Sequence, residues 1–259
     1  MSNNQPENIW SDELFTKYYL DMIKNKYPAN QTEREANFIE SVTSLFMGDK
    51  LLDLCSGCGR HALAMAKRGY NVTGVELSEH LINKAEKRLK DSPVTDQVSF
   101  INDDVTKLHE RDLGTKFRAA YTLASLGYYM SDEDVENTLK GIYNHLESQG
   151  FLIVDVKNRE HLLRNFKQKD WVKTKNGFTC FRYTKFDFES SCTINYKHVK
   201  PPHGDEVMYS QWMRAYTLKE MFTIMTKTGF SPQRVYGNFK RGPYDINSQR
   251  MIVVATKES

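Results

Sequence analysis

Two glycines and two acids carry the chemistry that can be read first. Gly57 and Gly59 lie in the stretch Cys55-Ser56-Gly57-Cys58-Gly59-Arg60, between a short buried-strand run at 51–54 and a helical pattern that starts at Arg60. Asp53 sits in that run, and Glu76 closes a second apolar run, 72–75. Glycines in such a turn let backbone N–H groups come close to a ligand, because no Cβ stands in the way. The helix N-terminus that follows points unsatisfied N–H groups and a partial positive charge at the same place. An acid at the end of the second strand can accept hydrogen bonds from both hydroxyls of a ribose. Together these residues read as a nucleoside site, and they leave the nucleoside open. Counted from Gly57, the third position of a dinucleotide fingerprint falls on Ala62, which that fingerprint tolerates. Cys55-x-x-Cys58 alone reads as a redox pair or half a zinc site. Cys180 and Cys192 supply no second CxxC, and a redox CxxC normally begins a helix, so no metal is expected.

The elements that must position these residues follow from apolar periodicity. Strand, glycine turn, helix, strand and acid make the first unit of a nucleotide-type α/β fold. Upstream, Leu14, Phe15, Tyr18, Tyr19, Met22 and Ile23 share one face of an expected helix over 11–26. Thr32-x-x-Glu35 reads as a capping box opening a second helix to about Phe46, with Phe38, Ile39, Val42, Leu45 and Phe46 inward. Downstream, Ser78 caps a helix over 79–90, and a strand at 98–101 ends in Asn102-Asp103-Asp104-Val105. A strand over 117–123, a helix from Ser131 to Leu146 and a strand over 151–156 complete the regular alternation. After Lys157 a short helix is expected at 161–166. From 171 to 216 the pattern turns strand-like and aromatic, with Cys192, Ile194, Tyr196 and His198 alternating with polar neighbours.

Asp53-x-Cys55-x-Gly57-x-Gly59 resembles the first motif, acid-x-Gly-x-Gly-x-Gly, of the class I S-adenosylmethionine (SAM) methyltransferases. The longer string LDLCSGCGRHALAMAKRGYNVTGVELS is similar to the bacterial small-molecule methyltransferases of this class, with Cys55 where the first glycine usually stands. The resemblance implies a Rossmann-like α/β fold: a seven-stranded, mostly parallel sheet with its last strand antiparallel and helices on both faces. The stretch Tyr216-Thr217-Leu218-Lys219-Glu220-Met221…Thr228-Gly229-Phe230 resembles the helix before the last two strands of these enzymes, which would then fall at 235–239 and 251–256. The resemblance divides the chain into an N-terminal helical arm (1–47), a core (48–157 and 213–259) and an antiparallel β insertion forming a lid (158–212). It implies SAM as cofactor. Asp53, Cys55, Ser56, Gly57 and Gly59 would lie at the glycine turn, Glu76 at the ribose with Leu77 beside it, and Leu123 or Ala124 against the adenine. Asp104 would receive the adenine amino group and the Val105 N–H a ring nitrogen, with Asp103 in a glycine slot. Tyr19, with Tyr18 behind it, would contribute an aromatic ring near the sulfonium, a cation–π contact of about 1 kcal/mol.

For methyl transfer, positioning and exclusion of water supply much of the rate, and a base is needed only for a protonated nucleophile. The candidates are His198, His203, Tyr128, Tyr209 and Asp155; none is assigned. Ser125, Tyr128 and Tyr129 are placed to face the acceptor. The chain has 259 residues and a net charge of +3, too little for a strong pull toward nucleic acid, and it lacks an N-P-P-Y-type motif. Its apolar runs fall short of a membrane span, and its polar N-terminus is unlike a signal peptide. Four cysteines without a leader point to reduced thiols in a cytoplasm. The expectation is a cytoplasmic, monomeric or homodimeric enzyme acting on a small molecule with flat or apolar surface, without nucleic-acid or membrane partners. The competing readings are a methyltransferase acting on a protein or peptide, a SAM-binding protein without turnover, and an NAD oxidoreductase. The last would need a second nucleotide half after the third strand.

Overall fold

A parallel strand covered on both faces must be apolar on both sides, and the central strands are built that way. They are β1 (Lys50–Leu54), β2 (Asn71–Glu76), β4 (Phe117–Leu123) and β5 (Leu146–Lys157). With β3 (Val98–Asn102), β10 (Phe230–Tyr236) and β11 (Arg250–Lys257) they form a seven-stranded sheet of order β10-β11-β5-β4-β1-β2-β3. β11 runs antiparallel to both β10 and β5, while β1 pairs parallel with β2 and β4. The computed structural model describes residue 18, residues 30–128 and residues 131–258. The expected helix over 11–26, apart from Tyr18, lies outside the described residues, and so do Tyr19 and Tyr129.

The helices are α1 (Gln31–Val42), α2 (Arg60–Ala66), α3 (Glu79–Lys90), α4 (Asp132–His145), α5 (Arg159–Arg164) and α6 (Leu218–Lys227). The period of two along a strand splits the core. Ala120 of β4 joins Leu52, Val154 and the inner stripes of α4 and α6, including Leu139, Ile142, Met221 and Met225. Ala119 and Tyr121 face the other way, onto Phe38 and Ile39 of α1 and Ala62 and Met65 of α2.

Several boundaries differ from the sequence expectation, each for a physical reason. Thr32 does not cap α1: the helix begins at Gln31 after Asn30, with no side-chain cap bond. Glu35 is drawn off instead to His61 and Arg60. α1 ends at Val42, and Phe46 is exposed rather than inward. The residues between the expected helix and the expected strand at 151 are absorbed into β5 as an irregularity, with Gln149 in the left-handed region at φ 59°. β10 starts at Phe230, which is fully buried, and ends at Tyr236, where the chain turns back and Gly237 N–H donates to the Gly242 carbonyl.

A second, four-stranded antiparallel sheet, β6 (Lys169–Lys173), β7 (Thr179–Asp187), β8 (Cys192–Lys200) and β9 (Val207–Arg214), is inserted between α5 and α6. Its root is polar. Arg159 donates to the Ser191 hydroxyl, which donates to the Ala215 carbonyl, and Arg214 pairs with Asp132 and Glu220. Thr217 and Glu220 then form a reciprocal capping box that starts α6 and fixes where the chain returns to the core. Thr217→Ala is expected to lower the unfolding free energy by about 1 kcal/mol, measured by urea denaturation.

Candidate active site

The strand order reverses between β1 and β4, so the crevice outside their carboxyl ends is where an open α/β sheet receives a ligand. Both strands leave the sheet through left-handed residues that are not glycine, Cys55 at φ 54° and Ala124 at φ 62°. Such a conformation costs roughly 1–2 kcal/mol for an L-residue and concentrates at functional sites. Cys55 therefore adopts the conformation that a glycine would take at no cost. Ser56 N–H donates to the Val75 carbonyl (3.1 Å) and Gly59 N–H to the Ser56 carbonyl (3.0 Å), which locks the turn. The two glycines serve different ends. A Cβ on Gly59 would lie 2.6 Å from the Phe100 ring, so helix-to-sheet packing demands glycine there. A Cβ on Gly57 would meet nothing within 4 Å among the described residues, so that side of the turn is open to a ligand.

Glu76 ends β2 against this turn. Its Oε2 accepts from Gly57 N–H at 2.9 Å and its Oε1 from Ser78 N–H at 3.0 Å. Burial raises its pKa, against the pull of the backbone donors at Ser78, Gly57 and Leu77. Leu77, beside it, is 56% exposed, an apolar surface at the mouth of the crevice. Asn102 donates to the carbonyls of Glu76 and Leu77 and so ties the ends of β2 and β3 together. Asp103 pairs with Arg111 at 2.9 Å, and Asp104 Oδ1 accepts from both the N–H and the hydroxyl of Thr106, opening a 3-10 turn at Val105. Val105 is buried and Leu123, at the end of β4, is half-buried. The glycine turn, Glu76, Leu77 and the 103–105 segment thus lie at the carboxyl ends of adjacent strands.

Beneath the turn is a buried charge cluster that the sequence reading did not assemble. Asp53 is 2% exposed, and its Oδ2 has no hydrogen-bond partner among the described residues. Burial pushes its carboxyl up to about 8, with Arg60 pulling it down and Glu76 pushing it further up. Tyr121 stands beside it in register, its buried hydroxyl likewise unpartnered. Arg60 and His61, on the first turn of α2, both reach Glu35 Oε2 of α1, His61 Nε2 at 2.7 Å. Burial would raise Glu35, but His61 and Arg60 together hold it down at about 2. A readable signal existed: a cation at the first position of a helix opposes the macrodipole and needs an acid partner.

The proton-transfer candidates separate. Asp155 is buried in a bidentate ion pair with Arg250, and burial outweighs that pairing to raise it to about 6, so it is engaged structurally rather than free to act as a base. His198 bonds Glu206 and lies beside the Phe181 ring, and His203 sits in the exposed turn beyond β8. Tyr209 of β9 is held as a phenol by burial first, then by Cys180 and Tyr128, and Tyr128 itself ends the 3-10 turn 126–128 that follows β4. Tyr18 packs edge-on against Phe178 at 5.5 Å and donates to the Asp205 carbonyl, so it meets the second sheet. A cleft of about 840 Å³ lined by Ser41, Arg118, Arg234 and Lys257 lies at the opposite end of the main sheet, away from the crevice. No cluster of three metal-ligating side chains occurs among the described residues, and no helix there is long and apolar enough to cross a membrane. The four cysteines form no disulfide among the described residues, and Cys58 Sγ accepts from Arg88.

Residues 51–150 match a family described as "Methyltransferase domain". A putative methyltransferase from Geobacillus is 23% identical over 251 residues, covering 93% of this chain and 97% of that one. A glycine/sarcosine N-methyltransferase from Halorhodospira halochloris is 22% identical, over 98% of this chain and 94% of that one. Among solved structures, an S-adenosylmethionine-dependent methyltransferase from Clostridium acetobutylicum superposes with a TM-score of 0.80 at 16% identity, over 95% of this chain and 99% of that one, which establishes a shared fold.

Two outcomes follow from the geometry. Gly59→Ala should destabilise the chain by about 2–3 kcal/mol in urea denaturation, because left-handed strain adds to overpacking against Phe100. For Asp53 the folded-state pKa lies above the unfolded value of 3.8, so the folded chain retains a proton that the unfolded chain has released. The resulting stability is full below 3.8 and is lost as the pH rises through about 8. Asp53→Asn should therefore gain about 1–3 kcal/mol relative to wild type between pH 4 and pH 8, read from denaturation at both values.

Proposed function

We propose that this chain, which carries a class I SAM-dependent methyltransferase domain, moves the methyl group of SAM to an N, O or C atom of a small-molecule acceptor. The observation that carries this reading is the crevice itself: an open glycine at Gly57, bonded to the Glu76 carboxylate, with the exposed Leu77 beside it at the carboxyl ends of β1 and β2. The sulfonium of SAM supplies an activated methyl carbon, whose bond to sulfur breaks, leaving its electron pair on sulfur, as the bond to the acceptor forms. In this reading the Glu76 carboxylate takes the ribose hydroxyls, Leu77 one face of the adenine and the 103–105 segment its edge. Asp53 Oδ2, buried and unpartnered, is a group that the methionine end would satisfy. Tyr209 stays a phenol at neutral pH, so it serves as a hydrogen-bond donor that orients the acceptor rather than as a base. Rate then comes chiefly from holding the nucleophile in line and excluding water. The Halorhodospira relative, named for glycine and sarcosine, supports a small acceptor.

Calorimetric titration with S-adenosylhomocysteine, the product form of the cofactor, tests the reading, with NADH as the parallel control. S-adenosylhomocysteine should bind in the micromolar range, and Glu76→Ala should weaken it by about tenfold or more, the cost of losing charged hydrogen bonds. Binding of NADH in place of S-adenosylhomocysteine would refute it.

A further inference from the structure

We propose that the acceptor is an anion, its carboxylate or phosphate gripped by Arg182 and Lys197 on the inward face of the second sheet. The proposal rests on the methyltransferase reading above and names its acceptor class.

Pairing across the sheet puts Asp170, Arg182, Lys197 and Tyr209 in a single row over β6, β7, β8 and β9. The next row on the same face is Thr184, Asn195 and Gln211. The contacts at either side identify this face as the inward one. Two residues away in one direction, Cys180 and Val199 are buried with Phe178 against Tyr18. Two residues further in the other direction, Thr193 and Met213 are buried, and Met213 lies 3.4 Å from where a Cβ on Gly127 would stand. The polar rows therefore lie between the point where the sheet meets Tyr18 and the point where it meets Gly127, in the turn that follows β4.

A sheet face that only packed would be apolar along its length. Here the opposite face carries the apolar row, Trp171, Phe181 and Met208 with His198, and these three are solvent-exposed. The inward rows carry hydrogen-bonding groups and two cations, all half-buried. Half-buried polar groups facing a ligand crevice are the informative departure from ordinary packing. Arg182 is ion-paired with Asp170, while Lys197 Nζ donates to Gln211 at 2.6 Å and lies 5.3 Å from the centre of the Tyr209 ring. Arg182 and Lys197 against Asp170 leave the row with net positive charge. An anion between the guanidinium and the ammonium gains charge-assisted hydrogen bonds, strengthened by partial burial. The same grip fixes one end of the acceptor, so that its nucleophilic atom can be presented toward the end of β4.

The test uses the full chain saturated with S-adenosylhomocysteine, titrated calorimetrically at low salt with inorganic phosphate in one arm and malonate in the other. One of them should bind, and Arg182→Gln and Lys197→Met should each weaken it by about tenfold or more. S-adenosylhomocysteine affinity should stay unchanged in both variants, which also shows that they fold. Arg234→Gln, in the cleft at the far end of the main sheet, should leave anion binding as in wild type. Preference for phosphate or for malonate identifies a phosphorylated or a carboxylate acceptor. If S-adenosylhomocysteine binds but neither anion does, or anion binding survives both substitutions, the acceptor class is wrong and the cofactor reading stands. If both variants lose S-adenosylhomocysteine, the cations serve the cofactor or the fold, and the assignment falls. If wild type fails to bind S-adenosylhomocysteine, the cofactor reading falls and takes this proposal with it.

Discussion

The crevice depends on a constraint at two adjacent strand ends: β1 and β4 must both leave the sheet in a left-handed conformation, at Cys55 and Ala124. Neither residue is glycine, so both turns are held against local preference by their surroundings. At Cys55 the restraint is the pair of backbone bonds around Ser56 and the packing of Gly59 on Phe100. At Ala124 it is a backbone bond to Asp155 at 2.9 Å, on a strand end fastened in turn by Arg250. The sheet interior can be ordinary, because the unusual geometry is confined to its carboxyl edge.

The buried charges answer to the same edge. Glu35, Arg60 and His61 join α1 to the first turn of α2, directly behind the glycine turn. A buried carboxylate is tolerated only with close partners, and Glu35 has Arg60 and His61 on one oxygen and Gln31 on the other. Asp53 has Arg60 nearby but an oxygen without a partner, and its proton affinity rises accordingly. The contrast between Glu35, held down at about 2, and Asp53, pushed up to about 8, separates an acid with close cationic partners from one with a buried oxygen left unpaired.

Much of this was legible in the sequence. The central strands are continuous apolar runs, Ser78 and Ser131 cap the helices that follow them, and the glycine turn marks the crevice. What was not legible depends on partners distant in the chain. Glu35 looked like a capping residue because the sequence does not reveal that His61 and Arg60 fold against it. Phe46 looked like core because its helix was carried one turn too far. The rings of the second sheet were visible as a group, but which of them face inward is set by strand register, and a one-residue slip would exchange the two faces. His198, a candidate for proton transfer, was thereby placed on the row with Phe181 and Met208.

The order of pairing in the two sheets has a kinetic consequence. β6 to β9 pair only with their neighbours along the chain, a meander of local contacts. The wall of the crevice instead requires β4 to return to β1 after β2 and β3 have been laid on β1's other side. Local pairings close with little loop entropy, whereas long-range parallel ones are slow. The second sheet thus closes through local pairings alone, while the crevice cannot be complete until a non-local pairing has formed. Any ligand that bridged the two sides of that crevice would favour the folded population by its binding free energy.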